Sequence, residues 1–197
     1  MIEPFATPIM DFNLSLDSEG LLSEIEQYLL ATEPAEKTGP RYSLEGKTGW
    51  HSPSNLAGLD YQWSKDLGQT LLDASQAYCD AMKSPFGMLQ DLVNVRCWGM
   101  LIRAGDSSSV HCHPNSVVSG TLWLSAPEDM DGGELCFVDP RGGARADPLF
   151  GGNTLHFTPK RGTGVVFPSW LDHYVLPHTS KGTRISLAWN IERKNGF

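Results

Sequence analysis

Near residue 90 the hydrophobic pattern of this chain changes period, so the two sides must fold by different rules. Ahead of that point lie two amphipathic helical patterns. The first runs from Ser18 to Ala31, with Leu21, Leu22, Ile25, Tyr28 and Leu29 on one stripe and Glu19, Glu24 and Glu26 opposite. Asp17 or Ser18 is placed to cap it. The second runs from Ser64 to Lys83, with Leu67, Leu71, Leu72, Ala74, Tyr78 and Met82 at helical spacing. Between them, Glu33 to Asp60 is rich in Gly, Pro and Ser and reads as a long loop, of a length that usually serves function. After Pro85-Phe86-Gly87 the apolar residues begin to alternate. Strands are expected at Val93–Ala104, Val117–Ser125, Glu134–Val138, Thr154–Thr158, Gly164–Phe167 and Arg184–Ile191, separated by Gly, Pro and Asp turns. The last is the clearest, with Ile185, Leu187, Trp189 and Ile191 alternating with Arg184, Ser186, Ala188 and Asn190. Two helices followed by many short strands predict a mainly β, α+β chain. Its antiparallel strands would close into a sandwich or barrel with a ligand cavity between the layers. Twenty Gly and 13 Pro, more than a helix bundle uses, supply the turns.

At 197 residues the expectation is a single domain, with residues 1–90 as outer helices and loop and residues 91–197 as the β core. Fifteen Lys and Arg against 23 Asp and Glu give a formal charge of −8, which argues against a nucleic-acid or anionic-membrane partner. No apolar run reaches the ~20 residues that a membrane-spanning helix needs. Met1-Ile2-Glu3-Pro4 has neither the cationic nor the apolar part of a signal peptide. Cys79, Cys97, Cys112 and Cys136 are scattered with no C-x-x-C pair and read as reduced thiols of a cytoplasmic protein. A small molecule or a peptide is the expected substrate. The oligomeric state stays open, a homodimer included.

Three elements carry candidate chemistry. His111 and His113 stand two apart in Val110-His111-Cys112-His113-Pro114-Asn115, and in an extended segment both imidazoles would face one side and share a metal. The other reading is a surface loop with two solvated histidines. His173 follows an apolar turn in Phe167-Pro168-Ser169-Trp170-Leu171-Asp172-His173, with His178 beyond Pro177 as the weaker candidate; taken alone, His173 would be a hydrogen-bonded structural histidine. Arg184 and Ser186 share the polar face of the last strand. If that face points inward, a guanidinium there needs a carboxylate, which Arg and Ser together suit.

Taken in order, H-x-H after a strand, a His about sixty residues later and Arg-x-Ser eleven residues beyond it resemble the iron- and 2-oxoglutarate-dependent oxygenases. The stretch from His173 to Pro177 with Arg184, and Asp131-Gly132-Gly133-Glu134-Leu135, are similar to segments of the prolyl-hydroxylase branch. Gly49-Trp50-His51-Ser52, Gly105-Asp106, His113-Pro114-Asn115-Ser116, Ser119-Gly120, Phe137-Val138-Asp139-Pro140-Arg141 and Phe167-Pro168-Ser169-Trp170-Leu171 resemble a family of 2-oxoglutarate–Fe(II) oxygenases from bacteria and phages.

The resemblance implies a double-stranded β-helix, a jelly roll of the cupin kind, with the N-terminal helices packed outside. It also implies Fe(II) on His111, His113 and His173, and an Arg on the penultimate core strand, here Arg184, binding 2-oxoglutarate with Ser186. The implied activity is that of a dioxygenase, hydroxylating a substrate with release of succinate and carbon dioxide. Asn115 and Ser116 are candidates to contact co-substrate or substrate; Trp123, Phe137, Phe157 and Trp189 are candidates to line the cavity. The Glu33–Asp60 loop, with Trp50 and His51, is a candidate lid.

In the wider superfamily a carboxylate occupies the place of His113, so three neutral imidazoles would leave the metal its full charge. Asp106, Glu134, Asp139 and Asp172 are the alternative carboxylates, and none displaces His113. Two other functions stay open: a three-His cupin-type dioxygenase independent of 2-oxoglutarate, and a non-catalytic metal-binding module.

Overall fold

The structure, a computed structural model, describes residues 6–14, 18–33, 48–84, 93–142 and 154–194. Two helices, α1 (Glu19–Thr32) and α2 (Gln62–Ala81), lie where the 3.6-residue period places them. Ser18 takes the cap position of α1 without a side-chain capping bond, and Asp17 lies outside the described residues. The strands are β1 (Met10–Asn13), β2 (Trp50–His51), β3 (Val93–Ile102), β4 (Ser108–His111) and β5 (Ser116–Ser125). They continue with β6 (Leu135–Phe137), β7 (Leu155–Phe157), β8 (Thr163–Pro168), β9 (His173–Val175) and β10 (Arg184–Arg193).

Their pairing is nested. β3 pairs with β10, β4 with β9, β5 with β8 and β6 with β7, every pair antiparallel. A long hairpin rolled up in this way must join β5 to β10 and β6 to β9, and both joints are present. The result is two facing sheets of order β1-β8-β5-β10-β3-β2 and β4-β9-β6-β7. This is a double-stranded β-helix, with β1 and β2 added at the two ends of the larger sheet.

The period-two pattern of β10 sorts its side chains between two cores. Ile185, Leu187, Trp189 and Ile191 join Leu22, Ile25, Leu29, Leu67 and Leu71 in the apolar layer between the larger sheet and the helices. The alternate residues, Arg184, Ser186, Ala188 and Asn190, face into the roll and are buried as well. A second apolar cluster, including Ile102, Trp123, Phe137, Val165 and Phe167, fills the space between the sheets. Trp189 seats the helices: its Nε1 donates to Ser75 Oγ at 3.0 Å, and its ring lies over Gly120, the residue opposite it on β5. A Cβ at position 120 would fall 2.1 Å from that ring. Gly120→Ala is therefore expected to lower the unfolding free energy by about 1–3 kcal/mol, read from the shift of a urea midpoint.

The Glu33–Asp60 segment is not a plain loop. Trp50–His51 adds a two-residue strand to the edge of β3, and Leu56–Gly58 forms a short 3-10 helix; residues 34–47 of the expected lid lie outside the described residues. No helix among the described residues is long and apolar enough to cross a membrane.

Candidate metal centre and carboxylate pocket

The nested pairing brings together histidines that are far apart in the chain. His111 ends β4, His173 opens β9, and the two are directly opposite in the ladder. His113 lies two residues past the end of β4, where its backbone N–H donates to Ser169 O at 2.8 Å, and Ser169 Oγ in turn donates to Ser116 O. The turn after β8 thus holds His113 beside His173. Ring centroids are 4.4 Å apart for His111–His173, 5.0 Å for His113–His173 and 5.2 Å for His111–His113. One nitrogen from each ring lies within 4.8 Å of the others.

Nδ1 of His111 donates to Ser109 O and Nδ1 of His173 to Leu171 O, both at 2.8 Å. A carbonyl can only accept, so each ring carries a proton on Nδ1, and Nε2 is the nitrogen that could serve a divalent metal. His173 is backed by Phe167, ring centroids 4.9 Å apart, and by Phe137 at 5.9 Å. Among the described residues no carboxylate or thiol joins the three rings. Asp106 accepts from Arg103 N at 3.0 Å, Asp139 forms a two-pronged pair with Arg141, and Asp172 is exposed. Glu134 buries an unpartnered Oε2 outside the cleft lining.

Arg184 faces the same cleft. It is the first residue of the last strand, β10, and not of the penultimate one. Its side chain is fully buried, Nη1 donates to Ser186 Oγ at 3.0 Å, and Nε and Nη2 have no partner. Burial alone pulls its pKa down to about 10. Ser186 stands opposite Trp123 on β5, and the indole Nε1 of Trp123 is also buried without a partner. Three buried nitrogens therefore have hydrogens to donate and no acceptor. Leaving such donors unmet costs on the order of 1–3 kcal/mol each, more for the charged group, so this corner is built for an anionic oxygen ligand.

The cleft encloses about 540 Å³, part of it open to solvent, and is lined by the three histidines, Arg184 and, at its edge, Thr48 and His51. Several expectations need correction. Asn115 occupies an exposed turn at φ 72° and does not line the cleft. Phe137 and Phe157 belong to the core between the sheets, and Trp189 faces the helices; none of these aromatic residues lines the cleft. The indole ring of Trp123 sits in the same core and does not line the cleft either. Trp98, Met100 and Phe167 supply apolar wall instead. His178 is buried and donates through Nε2 to Ile102 O at 3.1 Å, a structural tie.

Residues 96–190 match the model of the family described as "Putative 2OG-Fe(II) oxygenase". The match takes in 95 of the 197 residues, from β3 into β10, and includes the three histidines and Arg184, so the β core is similar to that family. The chain has no close match among curated protein sequences. Among solved structures, the chain is similar in fold to a Pseudomonas putida prolyl-4-hydroxylase, with 20% identity, 95% of this chain and 94% of that one covered, and a TM-score of 0.64. A viral collagen prolyl hydroxylase from Paramecium bursaria Chlorella virus-1, solved as a 2OG complex, has 19% identity over 94% of each chain and a TM-score of 0.53. HygX from Streptomyces hygroscopicus, solved with nickel and 2-oxoglutarate, has 11% identity, covers 95% of this chain and 84% of its own, and has a TM-score of 0.59. At these identities the likeness is one of fold. The oxygenase family's two cofactors nevertheless match what the residues here can hold: three imidazole lone pairs for a metal, and a buried guanidinium in want of a carboxylate.

Proposed function

We propose that the protein is a non-haem Fe(II)- and 2-oxoglutarate-dependent dioxygenase that hydroxylates a C–H bond of an organic substrate. One oxygen atom of O2 enters the substrate as a hydroxyl group. The other enters succinate as 2-oxoglutarate loses carbon dioxide, so the keto acid supplies the two electrons that the substrate does not. The observation that supports this most is the buried guanidinium of Arg184 with two unpartnered nitrogens, in the cleft that the three histidines share. A metal-binding module or a dioxygenase needing no keto acid gains nothing from that costly charge.

When bound on His111, His113 and His173, Fe(II) would supply oxygen activation. The chain's own residues orient and shield. Arg184 and Trp123 would donate to the distal carboxylate of the keto acid, with Ser186 Oγ holding Nη1 of the guanidinium in place. Three neutral imidazoles would leave the charge of a bound metal uncompensated, which would favour a dianionic keto acid beside it. Phe137 and Phe167 keep water from the side of His173 that they cover.

Anaerobic addition of Fe(II) and 2-oxoglutarate is expected to produce a weak visible charge-transfer band, and admission of oxygen to produce succinate. Trp123→Phe, which deletes one donor and keeps the ring, is expected to weaken 2-oxoglutarate binding about five- to tenfold in a titration of that band. No band and no succinate would overturn the reading. Oxygen uptake independent of 2-oxoglutarate would select the three-His dioxygenase. A tightly held zinc ion with no turnover would select the binding module.

A further inference from the structure

The motif Gly49-Trp50-His51-Ser52 has no part in holding the metal or the keto acid, yet it is fastened to the roll at every residue. Just ahead of it, Thr48 N donates to Ser107 O at 2.9 Å and Ser107 N returns a bond to Thr48 Oγ1 at 2.6 Å. Gly49 has φ 86°, and a Cβ there would fall 2.7 Å from Leu101 O, so no other residue lets the strap approach β3 this closely. Trp50 packs into the apolar layer against the helices. Ser52 closes the strap: Gly99 N donates to its Oγ at 2.9 Å, and its own N donates to Gly99 O at 3.0 Å. Strand alternation then sends His51 to the face opposite Trp50, where it lines the cleft with the three histidines and Arg184.

Charge narrows what this imidazole meets. The chain carries a formal charge of −8, yet the ionisable described residues lining the cleft are His51, His111, His113, His173 and Arg184, with no Asp, Glu or Lys among them. Ser107 and Ser108 also line the cleft, while Met100, Ile102, Leu135 and Val175 add apolar wall. A substrate ammonium would find no anionic partner among these residues. An oxygen acceptor on an apolar body would find both donors and surface.

We propose that His51 is a substrate-positioning residue that donates a hydrogen bond to a carboxylate or carbonyl oxygen of the substrate, and that the substrate's recognised end is an oxygen acceptor and not a cation. The inference rests on the dioxygenase reading, in which the other four basic groups serve metal and keto acid.

Hexanoate, hexanamide and hexylamine share one apolar body and differ in the head group. Each is added to protein holding Mn(II) and saturating 2-oxoglutarate, and binding is read from paramagnetic broadening of the probe's methylene proton signals. Hexanoate and hexanamide are expected to be broadened and hexylamine not. His51→Ala is expected to weaken hexanoate binding about tenfold, while His51→Gln, which keeps a donor, recovers it to within about threefold of the wild type. Equal binding by His51→Ala and the wild type, preference for hexylamine, or failure of all three probes would overturn the proposal. The Fe(II)–2-oxoglutarate band of the same variants separates the two ideas. Its presence with no effect of position 51 counts against His51 alone, and its absence in the wild type counts against the dioxygenase reading and this proposal together.

Discussion

Arg184→Met is expected to make the ligand-free protein more stable while removing its response to 2-oxoglutarate. The two effects have opposite signs because Arg184 is costly until a carboxylate arrives. The guanidinium is fully buried, and two of its nitrogens have no acceptor. Burial lowers its pKa to about 10, well below the usual guanidinium range, so the fold disfavours the charged form. The unfolded chain binds the proton more tightly, and stability would rise with pH only above about 10; at neutral pH the penalty is fully present. Replacing such a charge by an apolar side chain of similar length commonly gains about 1–4 kcal/mol. For a chain of this size that raises the melting temperature by several degrees, at about 2–4 °C per kcal/mol.

In the wild type, 2-oxoglutarate at about a hundred times its dissociation constant, added with Mn(II), should stabilise by about 2.7 kcal/mol. Truncating the charged partner costs about 2–5 kcal/mol of binding, so Arg184→Met should show no ligand-induced shift at the same concentration. Arg184→Lys should recover part of it, since an ammonium supplies the charge but not the two-pronged geometry. Melting curves with and without the keto acid check both signs. A destabilised Arg184→Met that still responds to 2-oxoglutarate would make this residue structural.

Loss of any one of the three imidazoles is expected to lower Mn(II) affinity by more than about a hundredfold, above the 10- to 100-fold typical of groups that only support a ligand. His111→Ala and His173→Ala test the opposed pair of the β4–β9 ladder, and His113→Ala tests the residue beyond it. His113→Asp should behave differently. A carboxylate is a good ligand for Fe(II) and Mn(II), so metal binding should survive, but the added negative charge leaves the centre less attractive to a dianionic keto acid. Metal titration by calorimetry, followed by 2-oxoglutarate titration of each loaded variant, separates the two effects. Unchanged metal affinity in His113→Ala would remove that residue from the ligand set.

The long strands could be read from the sequence because their residues alternate, whereas the candidate ligand set came from the resemblance in the order of the H-x-H, the later His and Arg-x-Ser. β10 is ten residues long, and its two faces differ sharply in polarity, so Arg184 and Ser186 could be placed on one face before any coordinates, and the structure turns that face inward. His111 and His113 carried the same period-two signal. β1, β2, β4 and β9 were missed because two to four residues are too few to express a period; β6 and β7, as short, were read from the turns that bound them. Asn115 was misjudged because a motif neighbour of His113 sits in a turn that reverses the chain, and φ 72° aims it at solvent. The indole N–H of Trp123 and the mounting of His51 carry no sequence signal at all. The first emerges only when Trp123 is found opposite Ser186, and the second only when residues 48–52 are laid along β3.

The nested order of the strands also bears on how the chain reaches this state. Of the four nested pairs, β6 and β7 are the nearest in sequence and β3 and β10 the farthest apart, so the successive pairs close longer and longer stretches of chain. Folding should begin at the innermost hairpin and proceed outward. It should be slow in the manner of barrels built from distant pairings, on a timescale of about milliseconds to seconds. The outermost pair forms last and carries Arg184, while the groove for α1 and α2 exists only once β10 is in place. A ribosome-bound chain lacking β10 would therefore hold most of its strands but neither the carboxylate corner nor the face its own helices need.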